Sequence, residues 1–331
     1  MKRIFTFFLT SVIVLGAKSQ TADLLENQLP DVKAFDNLSV SVNAGTTGIG
    51  LDVATKISNA FQVRVGASFM PEYTPTLTFG IEGGRMDANG QWVSTRFESM
   101  ADKMAQFTGY EVDTNIDMKG EPNFHNLSVL VDIFPFEKKN WFFTAGFYYG
   151  ASSIAKAYNT TEDMASLLAV GMYNNMYDKV SNGDPIYGDF YLSPDLEDKI
   201  WNMGRMGIRM GEYKRDVLDQ EGNVVHKTGE PYMMEPDETC MVKAHIKVNR
   251  FKPYLGFGYE GALFKRDPSY RIAFNCGAMF WGGTPSLITH DGTDLVKDIK
   301  NVRGKVGRYV DAINAMKVMP VLNISITKRI F

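Results

Sequence analysis

Six charged residues fall where a period-two pattern turns them away from apolar rows: Asp52, Lys56, Arg64, Asp132, Glu260 and Arg271. Opposite charges enclosed in a narrow, poorly hydrated space must pair to offset desolvation. As a paired set they form a structural network filling the space. Left unpaired, they line a charge-selective pore. We take the network as the primary reading and the pore as its alternative.

Other chemistry is sparse. The histidines are His125, His226, His245 and His290, and none has a second histidine at metal-ligand spacing. Ser128 lies near His125 and Ser286 near His290, but an activated nucleophile needs a base and an orienting partner together, and many serines lie near histidines. Gly45–Gly50 resembles a phosphate loop only in its glycines; the lysine and the strand-to-helix context are missing. No catalytic, cofactor-binding or metal-ligating residue is expected, and the chain is read as not an enzyme. Methionines crowd 164–234, including Met164, Met172, Met176, Met203, Met206, Met210, Met233 and Met234. Such a cluster can bind adaptably or recruit soft metals, but gap-filling in a loosely packed cap explains it. Of the two cysteines, Cys240 and Cys276, the second falls on the apolar face of a strand and reads as a small buried hydrophobe. Asn37-Leu-Ser39 and Asn159-Thr-Thr161 have the glycosylation-acceptor form and are read as coincidence. A net charge of -3 excludes a nucleic-acid partner.

The elements that position the charges are strands. Leu38–Ala44, Ile49–Ile57, Phe61–Phe69, Leu127–Ile133, Trp141–Gly150, Pro253–Ala262, Tyr270–Gly282 and Val318–Phe331 each alternate apolar and polar residues. A soluble sandwich shows the same alternation. The polar face, however, is rich in Gly, Ser, Asn, Asp and Arg, as a packed lumen requires. Aromatics gather at strand ends, at Phe61, Phe69, Trp141, Tyr149, Phe280 and Trp281, where interfacial girdles sit. The mean hydropathy of -0.18 suits a barrel, whose lipid face is hidden by alternation. The expected fold is therefore an all-β membrane protein, an antiparallel up-and-down transmembrane β-barrel of eight strands. Residues 1–19 read as a signal peptide and 20–37 as a periplasmic N-terminal segment. Lys2 and Arg3 precede the apolar Ile4–Leu15, and Ala17-Lys-Ser19 is a small-x-small cleavage pattern. Residues 38–331 are the barrel.

Connections alternate in length. Ser58–Ala60, Phe134–Asn140 and Leu263–Ser269 are short, as periplasmic turns are; 70–126, 151–252 and 283–317 are long outer loops, and Gly45–Gly48 is a tight one. Additional strands at Thr76–Gly83 and Thr239–Val248 would allow ten.

Several strand motifs resemble a family of Gram-negative outer-membrane β-barrel proteins. They are Gly45-Thr-Thr-Gly-Ile-Gly-Leu-Asp-Val-Ala54, Val63-Arg-Val-Gly-Ala67, Pro253-Tyr-Leu-Gly-Phe-Gly-Tyr259, Ala278-Met-Phe-Trp-Gly-Gly-Thr-Pro285 and Pro320-Val-Leu-Asn-Ile-Ser-Ile326. The resemblance covers strands and leaves most loops unmatched. It implies a small barrel in the outer membrane, with outer-membrane lipids and the barrel-assembly machinery as partners, and no assigned activity. One departure concerns the terminal targeting pattern. Phe331 shares its face with Arg329, Thr327 and Ser325, whereas Ile330 is in phase with the apolar row.

The loops carry helical patterns. Leu295, Ile299, Val302, Val306, Tyr309 and Ile313 predict one helix capped near Asp291 or Thr293. Phe97, Met100, Met104 and Phe107 predict a second; Met164, Leu167, Leu168, Gly171 and Met172 a third; Leu196–Met206 a further one. The expected arrangement is a small helical bundle that caps or partly plugs one barrel mouth. The functional expectation is a structural or surface-binding barrel taking an extracellular ligand at this cap. Its alternatives are a narrow gated channel for small solutes and, weaker, a lipid-acting barrel enzyme.

Overall fold

Alternation along the chain becomes a molecule with inverted polarity. In the computed structural model, eight strands form one closed antiparallel barrel. They are β1 (Leu38–Gly45), β2 (Gly48–Lys56), β3 (Phe61–Phe69), β4 (Asn126–Ile133), β5 (Trp141–Gly150), β6 (Phe251–Phe264), β7 (Asp267–Met279) and β8 (Met319–Arg329). The structure describes residues 37–135 and 140–330. The signal peptide and nearly all of the N-terminal segment lie outside them, as does Phe331.

Each strand turns its apolar row outward. Leu51 is 60% exposed and Leu127 61%, and Val42, Val65, Phe143, Phe257, Phe274 and Ile324 continue this belt around the wall. The polar row points inward, where Asp132 is 2% exposed. A sandwich would bury the apolar row and expose the polar one; the opposite is seen, as lipid solvation demands. Closure by β8 satisfies the backbone groups that an open edge would leave unpaired. Ser39 pairs with Arg329, and the Ile330 N–H donates to the Leu38 carbonyl at 2.7 Å. Ile330 faces outward with Leu322, Ile324 and Ile326, as its phase predicts. Following paired residues once around the wall returns about ten residues from the start, a stagger that tilts the strands by roughly 40°.

Local details differ from expectation. The β6–β7 connection shrinks to Lys265 and Arg266, because both strands run further than their apolar rows. Trp281 is not a girdle residue. It is buried, and its Nε1 donates to the Met316 carbonyl at 3.0 Å. Cys276 is not enclosed either; it is half-buried on the outward face between exposed Phe257 and Leu322.

The long loops form a mixed α/β cap rather than a helical bundle. One five-stranded antiparallel sheet runs in the order Thr76–Gly80, Asn115–Pro122, Ser153–Asn159, Lys243–Lys247, Ser286–Thr289. These segments directly follow or precede β3, β4, β5, β6 and β7, in the same spatial order. The sheet is therefore the barrel wall continued beyond a bend in each strand. The additional strands anticipated near Thr76 and Val248 exist, but they belong here and not to a ten-stranded barrel. A second sheet has the order Pro231–Met234, Arg205–Tyr213, Glu82–Met86, Trp92–Arg96, with Ile299–Lys300 added beside Arg205–Tyr213.

Among the described residues, four helices pack on these sheets: α1 (Glu98–Thr108), α2 (Met164–Asn182), α3 (Pro194–Met203) and α4 (Gly304–Ala315). In α2 the buried face is Ser166, Leu167, Ala169, Val170, Tyr173 and Asn174, while Met164, Leu168 and Met172 are exposed. The expected stripe thus shared only Leu167 with the real one. α4 begins at Gly304, not near Asp291. Positive φ at Gly292, Asn301 and Gly304 interrupts a helix there, and 295–300 instead supplies Leu295, Val296 and Ile299 to the cap core. Met206, Met210 and Met234 are buried in that core, as gap-filling side chains would be.

Candidate functional site

Among the described residues, the barrel lumen and a cleft in the cap each bring chemically active side chains together. In the lumen, β2, β3 and β4 set Asp52, Arg64 and Asp132 side by side. The Arg64 guanidinium lies 3.0 Å from Asp132 and 3.7 Å from Asp52. Asn43 donates to Asp52 at 2.8 Å, and Gln62 to Asp132 at 3.2 Å. The network then crosses the lumen: Thr144 donates to Asp132 at 2.8 Å, Asn275 to Thr144 at 3.1 Å, and Tyr254 to Asn275. Glu260 and Arg271 form a separate pair, 2.8 Å apart. Lys56 joins neither group; its Nζ sits 5.6 Å from the centre of the Phe134 ring.

Glycine makes room for this packing. A Cβ on Gly66 would collide with Asp52 Oδ1, so only glycine lets the carboxylate cross its neighbour. Toward the cap, Phe124, Leu130, Tyr148, Tyr254, Met279 and Val321 make an apolar stopper inside the wall. The cavity left beside the charged network is about 20 Å³, bordered by Asp52, Arg64, Ser128, Tyr148 and Asn275. That is room for about one water.

Lys252 stands at the last position of the long loop that the sequence pattern predicts, one residue before the expected strand. It is fully buried on the inward row of β6, in phase with Tyr254 and Glu260. Its Nζ donates to Asn126 at 3.1 Å and to the Ala151 carbonyl at 3.2 Å, beside the Phe124 ring. Extending the β6 alternation by one residue would have found it. The neutral members Thr144 and Asn275 carry no comparable signal, since polar residues on an inward row are common.

The serine–histidine neighbours do not meet. Ser128 is buried in the lumen whereas His125 is exposed. Ser286 accepts from Lys297, and His290 Nδ1 accepts from the Lys243 N–H. Among the described residues no cluster of three His, Cys, Asp or Glu side chains could hold a metal.

The cap holds a much larger space, a cleft of about 880 Å³. Its framework is the second sheet, with Tyr177 from α2 and Trp201 from α3 on one side. Trp92, Tyr213, Tyr232, His226 and His290 supply further rings. Tyr177 and Trp201 lie nearly parallel, 11° apart at 6.0 Å; Tyr213 stacks on His226 at 4.7 Å. Arg205 binds Glu235 through two hydrogen bonds of 2.6 and 2.7 Å and also contacts Asp178. The charged lining is otherwise acidic: Glu230, Asp237, Glu238 and Asp291 add to Glu235, against Arg85 and Arg205.

Glu230, Asp237 and Asp291 stay ionised at neutral pH. Burial raises Glu230, but the His226 side chain and the Lys227 N–H outweigh it and hold the carboxyl below its ordinary value. Burial likewise raises Asp237, and is outweighed by Lys243, Thr239 and the Met241 N–H. Asp291 is lowered in spite of burial by Thr289, the Thr293 N–H and Tyr232. No sequence spacing announced this cleft, because its lining comes from separate loops.

Comparison with solved structures finds distant similarities. Acinetobacter baumannii CarO2 is 12% identical over 90% of this chain and 99% of its own, with a TM-score of 0.36. CarO from the same organism is 13% identical over 88% and 97%, with a TM-score of 0.36. A major outer membrane protein from Thermus thermophilus is 12% identical over 88% and 98%, with a TM-score of 0.27. No protein-family model and no curated protein matches the chain.

Proposed function

We propose that this protein is an outer-membrane barrel that anchors a ligand-binding cap at the cell surface and works by binding rather than by catalysis or transport. The observation that carries this reading is the contrast between the lumen, where the cavity beside the charged network is only about 20 Å³, and a cap cleft of about 880 Å³. Eight-stranded barrels have interiors just wide enough for side chains to fill, and here a salt-bridged network and an apolar stopper fill it. The exposed apolar belt suits outer-membrane lipids. The short turns then lie in the periplasm and the cap outside the cell.

Planar-bilayer recording of the full chain tests this reading against a gated channel. The expected trace shows no conductance steps, and none in an Arg64→Ala variant, because the apolar stopper remains. Discrete steps in either protein would favour the channel.

A further inference from the structure

The chemistry of the cap cleft narrows what it can bind. Its size lies within the roughly 300–1,000 Å³ typical of small-ligand sites. Its walls combine flat ring faces with charged groups, most of which internal partners already hold in place. One face of Trp201 is covered by Tyr177, yet the side chain is still 46% exposed. Glu235 is held by Arg205, Asp237 by Lys243 at 2.7 Å, Asp291 by the Tyr232 hydroxyl at 2.7 Å, and Glu230 Oε1 lies 3.1 Å from His226 Nδ1.

A free ammonium ion gains little from carboxylates that already have their own donors. An anion is repelled by the acidic excess. What remains attractive is a ligand with an apolar face for a ring to cover and many hydroxyls to exchange hydrogen bonds with fixed charged groups. Such hydrogen bonds are stronger than neutral ones, and a preorganised site loses less entropy on binding. A pyranose ring has both features.

Resting on the surface-binding reading above, we propose that the cleft binds saccharides that are neutral or carry amino groups, with one sugar ring against Trp201 and hydroxyls directed to the Arg205–Glu235 pair. Acidic saccharides are excluded by the surplus carboxylates.

The test uses the full chain in an amine-oxide detergent, which has no sugar headgroup to compete. The protein is applied to an array of immobilised neutral, amino-sugar and acidic glycans. The strongest glycan is then titrated in solution with tryptophan fluorescence as the readout. Binding to neutral or amino-sugar glycans is expected, with acidic ones silent. Trp201→Ala should weaken affinity at least tenfold and Trp201→Phe much less, both variants keeping heat-modifiable migration on gels. No glycan binding, a preference for acidic glycans, or an unaltered affinity in Trp201→Ala would overturn the proposal. Saturable quenching by tetramethylammonium without any glycan binding would also overturn it, in favour of a cation cage, while leaving surface binding standing. Failure of the surface-binding reading itself would appear separately, as conductance.

Discussion

Asp132 concentrates the argument at the scale of single residues. It accepts from Arg64, Gln62 and Thr144 in the middle of the lumen. Replacing it by alanine leaves Arg64 with only the longer 3.7 Å contact to Asp52. Breaking one side of a buried pair costs about 3–5 kcal/mol. Asp132→Ala should therefore lower barrel stability by about 3 kcal/mol, read as a shift in the urea midpoint of the heat-modifiable band. Asp132→Asn keeps an acceptor for Thr144 and should lose less; equal losses would mean the charge is irrelevant. Five of the six charged residues expected in the lumen do pair with one another, since their phase follows directly from strand alternation. Lys56 makes no ion pair with them; at the end of β2 its Nζ lies over the Phe134 ring, and its charge reaches Glu260 only at longer range.

At the scale of elements, strands were far more legible than helices. A strand facing lipid must alternate strictly, so its pattern has one solution. The α2 sequence around Met164–Met172 holds apolar residues in several phases, and only packing against Met206 and its neighbours selects the buried one. The turn after α3 shows how tightly these pieces abut. Gly204 has φ +70°, and a Cβ there would collide with the Gly84 carbonyl oxygen. An L side chain is strained at that φ and meets backbone besides. Gly204→Ala should displace Arg205 and Trp201, reduce tryptophan fluorescence changes in the cleft, and leave the barrel's heat-modifiable shift intact. Loss of the shift would show that cap and barrel fold as one cooperative unit.

At the scale of the whole molecule, the two halves should respond differently to acid. Outside the barrel, Thr228 hydrogen bonds hold Asp216 low and Asn223 holds Asp219 low. Glu230, Asp237 and Asp291 are also lowered, as described above. A carboxylate depressed in the folded state stabilises above its unfolded pKa of about 4 and loses that contribution as pH falls through the folded value. The cap should thus be fully stable at neutral pH and weaken progressively below about pH 4. Emission from Trp92 and Trp201 followed across this acid range should report the change while heat-modifiable migration persists. A cap that is more stable in acid than near neutrality would contradict the assignment.

The sequence by itself determined the barrel's strand phase, its closure and which face meets lipid, and left eight strands against ten for the tertiary structure to decide. Lipid contact imposes a residue-by-residue rule, and a rule of period two survives in a one-dimensional string. Tertiary structure alone decided that five barrel strands continue outward as a sheet, that 291–303 is not helical, and that rings and carboxylates from separate loops enclose one cleft. Those outcomes depend on contacts between segments far apart in the chain, for which local spacing holds no record.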